Sequence, residues 1–275
     1  MPHAHDLFAG TAEYYARYRL DYPPAVYEAA RSAFALDDTP RGALLDLGTG
    51  TGFVALELAR HFERVVGLDI DAEMLRFARE GAEARGIEHT RWLHLPAEDL
   101  ATLDGTEAGG PCRLVTAGSA FHWMDQPRVL DLLRDRLEPG GGVFLTGLPG
   151  FISLDDATEP DPIAEVIVPV IRKHLGERRR AGSGTYSPPP KRWEVFLAEA
   201  GYEGIEVGYV PFTADFDLDG VVGLLYSTSF ANRLLLGDRV EAFEADLRAA
   251  LLAFEPSGRY QRQYEAEFVL GRRGA

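Results

Sequence analysis

Gly48, Gly50 and Gly52 alternate with Thr49 and Thr51 directly after the apolar run Leu44-Leu45-Asp46-Leu47. Glycines at alternate positions remove Cβ where a chain must turn sharply. They also let a ligand come against the main chain, while the amides that open the next helix point out of the turn. A second apolar run, Val65-Val66-Gly67-Leu68, ends in Asp69, 21 positions beyond Gly48. A carboxylate at that place accepts both hydroxyls of an adenosine ribose. The pattern reads as a nucleoside-cofactor site. The dinucleotide fingerprint G-x-G-x-x-G would put its third glycine at position 53, where this chain has Phe53. Phe53 would crowd a pyrophosphate, so a nicotinamide-dependent dehydrogenase stands as the lesser alternative. A tight turn that binds nothing is the bland one.

Other side chains could take part in chemistry. His122, in Ser119-Ala120-Phe121-His122-Trp123-Met124-Asp125, has the intrinsic pKa to take a proton from an acceptor hydroxyl or amine near neutral pH. Substrate positioning and plain packing are its other readings. Tyr14 and Tyr18 are four positions apart and share a helix face next to Arg19, whose guanidinium can meet a carboxylate. The same residues also read as two helices packing their aromatic side inward. Cys112 is the only cysteine, which excludes a disulfide within the chain and a multi-cysteine metal site. No metal is expected.

The elements that must position these groups follow from periodicity. Strand, glycine turn, helix and strand over 43–71 make one βαβ unit. Asp71 caps a helix running to about Arg85, with Met74, Ala78 and Ala82 on one face and Gly86 as its stop. Trp92–Leu95, Leu114–Gly118 and Val143–Gly147 are further strands, and Pro127–Leu137 a helix between the last two. Five strands alternating with helices, apolar and without alternation, predict a parallel sheet covered on both faces. Upstream, Thr11 is placed to cap a first helix, and a second helix covers Ala25–Phe34. Beyond Gly150 the spacing predicts helices over Ile163–Leu175, Trp193–Ala200, Leu218–Phe230 and Val240–Phe254, and strands over Ile205–Phe216 and Tyr264–Leu270. Between them, Gly176–Pro190 is a polar loop whose arginine run is a solvated face.

At 275 residues, one α/β domain with an elaboration is expected. A net charge of -15 opposes binding to phosphate backbones, which needs a basic footprint, so nucleic acid is not expected as a partner. No apolar run approaches the ~20 residues of a membrane-spanning helix, and Met1–Tyr15 lacks a charged-then-apolar leader pattern. A soluble cytoplasmic protein, monomer or homodimer, without membrane partners is the expectation.

The words Tyr15-Ala16-Arg17-Tyr18-Arg19 with Tyr22-Pro23, LDLGTGTG, VVGLDIDAEML, PAEDL, AFHWMD and LEPGGGVF together resemble the class I S-adenosylmethionine (SAM) methyltransferases. More narrowly they resemble the small-molecule branch that includes trans-aconitate methyltransferase-like proteins. The resemblance implies a Rossmann-like core of seven strands, the last antiparallel, with N-terminal helices over 1–40 and a core over 41–150. The remaining strands would lie in 151–275, with a helical lid in insertions at about 151–190 and 217–258. It implies SAM as cofactor and S-adenosylhomocysteine as product. Asp46, Gly48, Thr49 and Gly50 would line the methionine part, Asp69 would hold the ribose, and Ile70 and Met74 would flank the adenine. Ala97 and Glu98 would meet the adenine edge, and Ser119 would lie beside the sulfonium. Tyr14, Tyr18 and Arg19 would close over the amino acid end. His122 and Trp123 would stand at the acceptor entrance, with Phe151, Tyr186, Trp193, Tyr226, Ser229 and Phe230 as pocket residues. The activity implied is transfer of a methyl group to an O, N or C atom of a small, partly apolar metabolite, as in secondary metabolism. A SAM-binding protein of this fold that does not methylate is the alternative.

Overall fold

A computed structural model describes residues 8–104, 110–152, 161–177, 180–181, 184–185 and 190–274. The strands of the main sheet are β1 (Ala43–Leu47), β2 (Arg64–Asp69), β3 (Thr90–His94), β4 (Cys112–Gly118), β5 (Leu137–Gly147), β6 (Tyr202–Asp217) and β7 (Arg259–Arg273). The helices are α1 (Ala12–Tyr18), α2 (Pro24–Ala33), α3 (Phe53–Leu58), α4 (Ala72–Ala84), α5 (Gln126–Arg134), α6 (Pro162–Leu175), α7 (Trp193–Glu199), α8 (Leu218–Tyr226), α9 (Arg233–Leu236) and α10 (Val240–Phe254).

The chain divides into two units. Asp21–Leu148, Pro188–Val210 and Glu265–Ala275 form the sheet unit, and Met1–Leu20, Pro149–Ser187 and Pro211–Tyr264 form the helical unit. The sheet has the order β3-β2-β1-β4-β5-β7-β6. The pairs β1–β2, β2–β3, β1–β4 and β4–β5 are parallel, and β7 is antiparallel to β5. The seven-stranded fold with an antiparallel final strand is therefore present, with β7 inserted between β5 and β6. Strand order reverses between β1 and β4, so the connections leaving their carboxyl ends diverge and open a crevice there.

Every residue of β1 is buried, as a central strand covered on both faces requires. Leu45, Leu47, Val66, Leu68, Val115, Ala117, Val143 and Leu145 pack with Phe121, Val129, Leu133, Phe196 and Leu197 as the sheet unit's core. Cys112 is buried in it at the amino end of β4. On one face a single row crosses six strands: Trp92, Gly67, Asp46, Thr116, Phe144 and Leu270 are successive register partners. Gly67 has no side chain because the Trp92 ring crosses it; a Cβ there would lie 2.5 Å from the ring. In the helical unit, Ile167, Ile171, Val221, Leu225, Phe243, Leu247 and Leu251 form the core.

Some boundaries differ from the periodicity. Helix α5 ends at Arg134 and Leu137 already opens β5. Thr11 occupies the N-cap of α1, but its hydroxyl donates to the Phe8 carbonyl and caps nothing. Helix α8 stops at Tyr226 because the Ser227 and Thr228 hydroxyls turn back onto the Leu224 and Leu225 carbonyls, competing with the helical ladder.

Candidate functional site

At the carboxyl end of β1, Gly48, Gly50 and Gly52 have φ of 58°, 55° and 87°, the left-handed region in which only glycine is free of strain. Packing demands two of them as well. A Cβ on Gly48 would meet Ala120 Cβ at 2.5 Å, and one on Gly52 would meet Leu56 at 3.1 Å and Ala78 at 3.3 Å. The turn is tied down by Thr49 N–H to the Leu68 carbonyl (2.8 Å) and Gly52 N–H to the Thr49 carbonyl (2.9 Å).

Asp69, at the end of β2, holds the turn from the other side. Its Oδ2 accepts the Gly50 amide at 2.8 Å and its Oδ1 accepts the Asp71 amide at 2.9 Å. Burial pushes this carboxyl above the usual carboxylate range, opposed by the two amides. The Ile70 amide also acts on this carboxylate, which still has acceptor capacity left for a ribose hydroxyl. Thr51, inside the turn, is buried with its hydroxyl unpartnered among the described residues. Such a group calls for a polar partner. Left-handed glycines, a carboxylate with acceptor capacity to spare and an orphaned hydroxyl at the switch point fit a nucleoside ligand.

Asp46, expected along the methionine group, is bonded within the protein. It is 1% exposed beneath the turn, where it accepts the Thr49 and Thr116 hydroxyls at 2.6 Å each. Burial pushes its carboxyl up to about 6, against the lowering by those two hydroxyls. Its role is to anchor Thr49 and to clamp β1 to β4. Thr116, seventy positions away, gave no sequence signal of this; the register places it.

Met74 is buried on α4, which Asp71 caps through the Glu73 and Met74 amides at 2.8 and 3.3 Å. The Ile70 carbonyl accepts from His94 Nε2 at 2.8 Å, a bond that sets the loop after β2 and that sequence reading missed. Ala97 is buried at the start of a 3-10 turn, Ala97–Thr102. The Glu98 carboxylate accepts the Asp125 amide at 2.8 Å, tying this turn to the segment after β4. At the end of β4, Ser119 is left-handed, with φ 51°. His122 and Trp123 follow on a 3-10 turn, Phe121–Trp123, with ring centroids 4.7 Å apart. Among the described residues no group of three or more His, Cys, Asp or Glu is placed to hold a metal ion.

The sequence from Leu44 to Gly141, β1 into β5, matches the methyltransferase-domain family. This stretch is a methyltransferase domain, and its motifs are those of the class I SAM-dependent methyltransferases. Members of this family use SAM and release S-adenosylhomocysteine. The tRNA 5-carboxymethoxyuridine methyltransferase of Escherichia coli is 28% identical over 162 residues, 58% of this chain and 59% of that protein. Trans-aconitate 2-methyltransferase of Deinococcus radiodurans is 31% identical over 122 residues, 42% of this chain and 43% of that protein. The chain thus spans about three fifths or less of these relatives. The YcgJ protein of Bacillus subtilis has the same fold, with a TM-score of 0.53 at 16% identity over 90% of this chain and 99% of that one.

The remaining candidates are distributed between the units. In the sheet unit, Trp193 packs edge-on against Phe121 at 6.4 Å and fills the space over Gly147, where a Cβ would lie 2.9 Å from its ring. In the helical unit, Tyr14 meets Tyr226 edge-on at 5.3 Å, and the Tyr18 ring lies over Gly223, where a Cβ would come within 2.3 Å. Arg19 donates from Nε to Ser227 Oγ at 2.9 Å and from Nη2 to the Ser227 carbonyl at 3.2 Å. Tyr226 donates to Glu244 at 2.9 Å, and Phe151 packs against Phe216 at 5.1 Å. Ser229 and Phe230 are buried. Tyr186 lies outside the described residues.

Proposed function

We propose that this chain moves a methyl group from SAM to an O, N or C atom of a small, partly apolar acceptor. The observation that carries the reading is Asp69, which organises the left-handed glycine turn through backbone amides and has acceptor capacity left for a ribose. Bound there, the donor supplies a carbon already activated by a positive sulfur, and the transfer is an in-line displacement. The protein's share of the work is then alignment and the exclusion of water. Asp69 orients the nucleoside, Ile70 and Met74 flank its base, and the amide of Ala97 and the carboxylate of Glu98 meet the base edge. Gly48, Thr49 and Gly50 offer main chain to the methionine part, with Ser119 at the end of β4 beside it. His122 takes the acceptor's proton where the acceptor has one to lose, and Trp123 bounds the acceptor. The net charge of -15 supports a small acceptor over a polyanion, although the E. coli relative is named for a tRNA nucleoside.

Calorimetric titration with S-adenosylhomocysteine tests the donor site. The wild type should bind it and ignore NADH, and Asp69→Ala should lose roughly 10- to 150-fold in affinity, the worth of charge-assisted hydrogen bonds. An unchanged dissociation constant would remove Asp69 from the site. Incubation with SAM and a panel of carboxylic, phenolic and amine acceptors, read as S-adenosylhomocysteine released, tests the transfer itself.

A further inference from the structure

Ser119 is one of two non-glycine residues with positive φ among those described, at 51°, and it stands where β4 leaves the sheet. A left-handed conformation is costly for a residue with a Cβ and persists only where its surroundings impose it. Its surroundings are specific. The Ser119 amide donates to the Thr146 carbonyl at 2.7 Å, and its Oγ accepts the Leu148 amide at 3.3 Å. The same Oγ lies 2.8 Å from the hydroxyl of Tyr22, a residue 97 positions away.

Tyr22 is itself held. It is 7% exposed, its amide donates to Asp21 Oδ1 at 2.7 Å, and its ring stands edge-on to Tyr27 at 6.2 Å. Tyr27 donates to that same Asp21 oxygen at 2.6 Å, so one carboxylate ties the Tyr22 backbone to the Tyr27 ring that packs against Tyr22. Gly118 lacks a side chain where Tyr22 comes in; a Cβ there would sit 3.1 Å from the Tyr22 hydroxyl and 2.8 Å from Val54. Beyond Ser119 the chain turns back so that Ala120 closes on Gly48 of the glycine turn, and the next residues carry His122.

We propose that Tyr22 is a positioning residue of the methyl-transfer site, whose hydroxyl holds Ser119 left-handed and so sets the segment 119–124 over the glycine turn. This rests on the donor-site reading above. With Tyr22 as donor, Ser119 Oγ accepts from both Tyr22 and Leu148, which leaves Ser119 no low-cost rotation out of the left-handed state. Without the hydroxyl, Ser119 relaxes to negative φ and Ala120 moves off Gly48.

The test uses Tyr22→Phe, which keeps the ring and its packing, and the same change in a Ser119→Gly background, where left-handed φ costs nothing. Tyr22→Phe should weaken S-adenosylhomocysteine binding about 5- to 30-fold, the equivalent of the left-handed penalty. The double variant should bind more tightly than Tyr22→Phe alone. Hydrogen exchange gives a readout without ligand: the Trp123 and Met124 amides, bonded to the Ala120 and Phe121 carbonyls, should exchange faster in Tyr22→Phe and recover in the double variant. Equal affinity and exchange in Tyr22→Phe and wild type would overturn the proposal, as would a double variant no better than the single. A wild type that binds no S-adenosylhomocysteine would instead sink the donor-site reading, and the exchange comparison would still decide what Tyr22 does.

Discussion

Burial of Asp46 has a pH signature. Its carboxyl is pushed up to about 6, whereas in the unfolded chain it titrates near 3.9. Between about pH 4 and 6 the folded state therefore binds more protons there than the unfolded state, and this residue's contribution to stability is lost as pH rises through that window. Asp46→Asn removes the titration. The stability of the variant relative to wild type, from urea melts, should improve by roughly 3 kcal/mol between pH 4 and pH 7; two parallel profiles would show that Asp46 titrates normally. Gly48 offers a second test. With φ 58° and Ala120 only 2.5 Å from an added Cβ, Gly48→Ala combines left-handed strain with overpacking and should cost about 2–5 kcal/mol. Gly86 has φ 66° and nothing within 4 Å of an added Cβ, so Gly86→Ala reports the strain alone. Equal losses at the two sites would mean that Ala120 yields freely. That a neighbour requires glycine at 48 was not visible in the G-T-G-T-G word, because the neighbour comes from a loop 72 positions on.

At the scale of elements, α6 depends on one residue. Asp161 caps it through the Ala164 amide at 3.2 Å and pairs with Arg262 of β7, Nη2 to Oδ2 at 2.8 Å. Arg262 also lies over the Phe151 ring at 5.2 Å. Burial alone would raise the Asp161 carboxyl, but the Arg262 guanidinium and the helix amides outweigh it and hold it below the usual range. A depressed carboxyl contributes stability above its unfolded pKa and loses it as pH falls through the folded one. Asp161→Ala should cost about 2–4 kcal/mol at pH 7, from a lost cap and a half-buried arginine without its partner. The gap to wild type should narrow toward pH 3; a gap independent of pH would assign the loss to packing. The 3-10 turn that carries His122 invites a kinetic test. As general base, His122→Gln should lower turnover by ~100-fold with donor binding intact and abolish the acidic limb of the pH-rate profile. If the imidazole only positions the acceptor, the Michaelis constant should rise more than turnover falls. Normal turnover with the same limb would exclude the base.

For the whole molecule, net charge bears on the acceptor class. At -15 the chain as a whole repels a phosphate backbone. Filter binding at 150 mM salt should therefore retain no bulk tRNA at micromolar protein, in contrast to what the name of the E. coli relative suggests for that protein. Retention that weakens steeply with salt would reopen a tRNA acceptor.

Local chemistry in the sequence determined the strand, glycine turn, helix and strand over 43–71, the Asp69 terminus, the Asp71 cap and the five-strand alternation. Each of these depends on residues within one turn or one strand of each other, where backbone sterics and periodicity act directly. Tertiary structure alone decided what lies beneath and around the turn. Asp46 meets Thr116, Trp92 crosses Gly67, Ser119 is held by Tyr22, and β7 enters between β5 and β6. These pairings join residues brought together by strand order and register, which no window of sequence contains. The same reason underlies Tyr14, Tyr18 and Arg19. Their spacing showed a shared helix face, while Gly223, Tyr226 and Ser227, some two hundred residues away, supply the contacts that hold them.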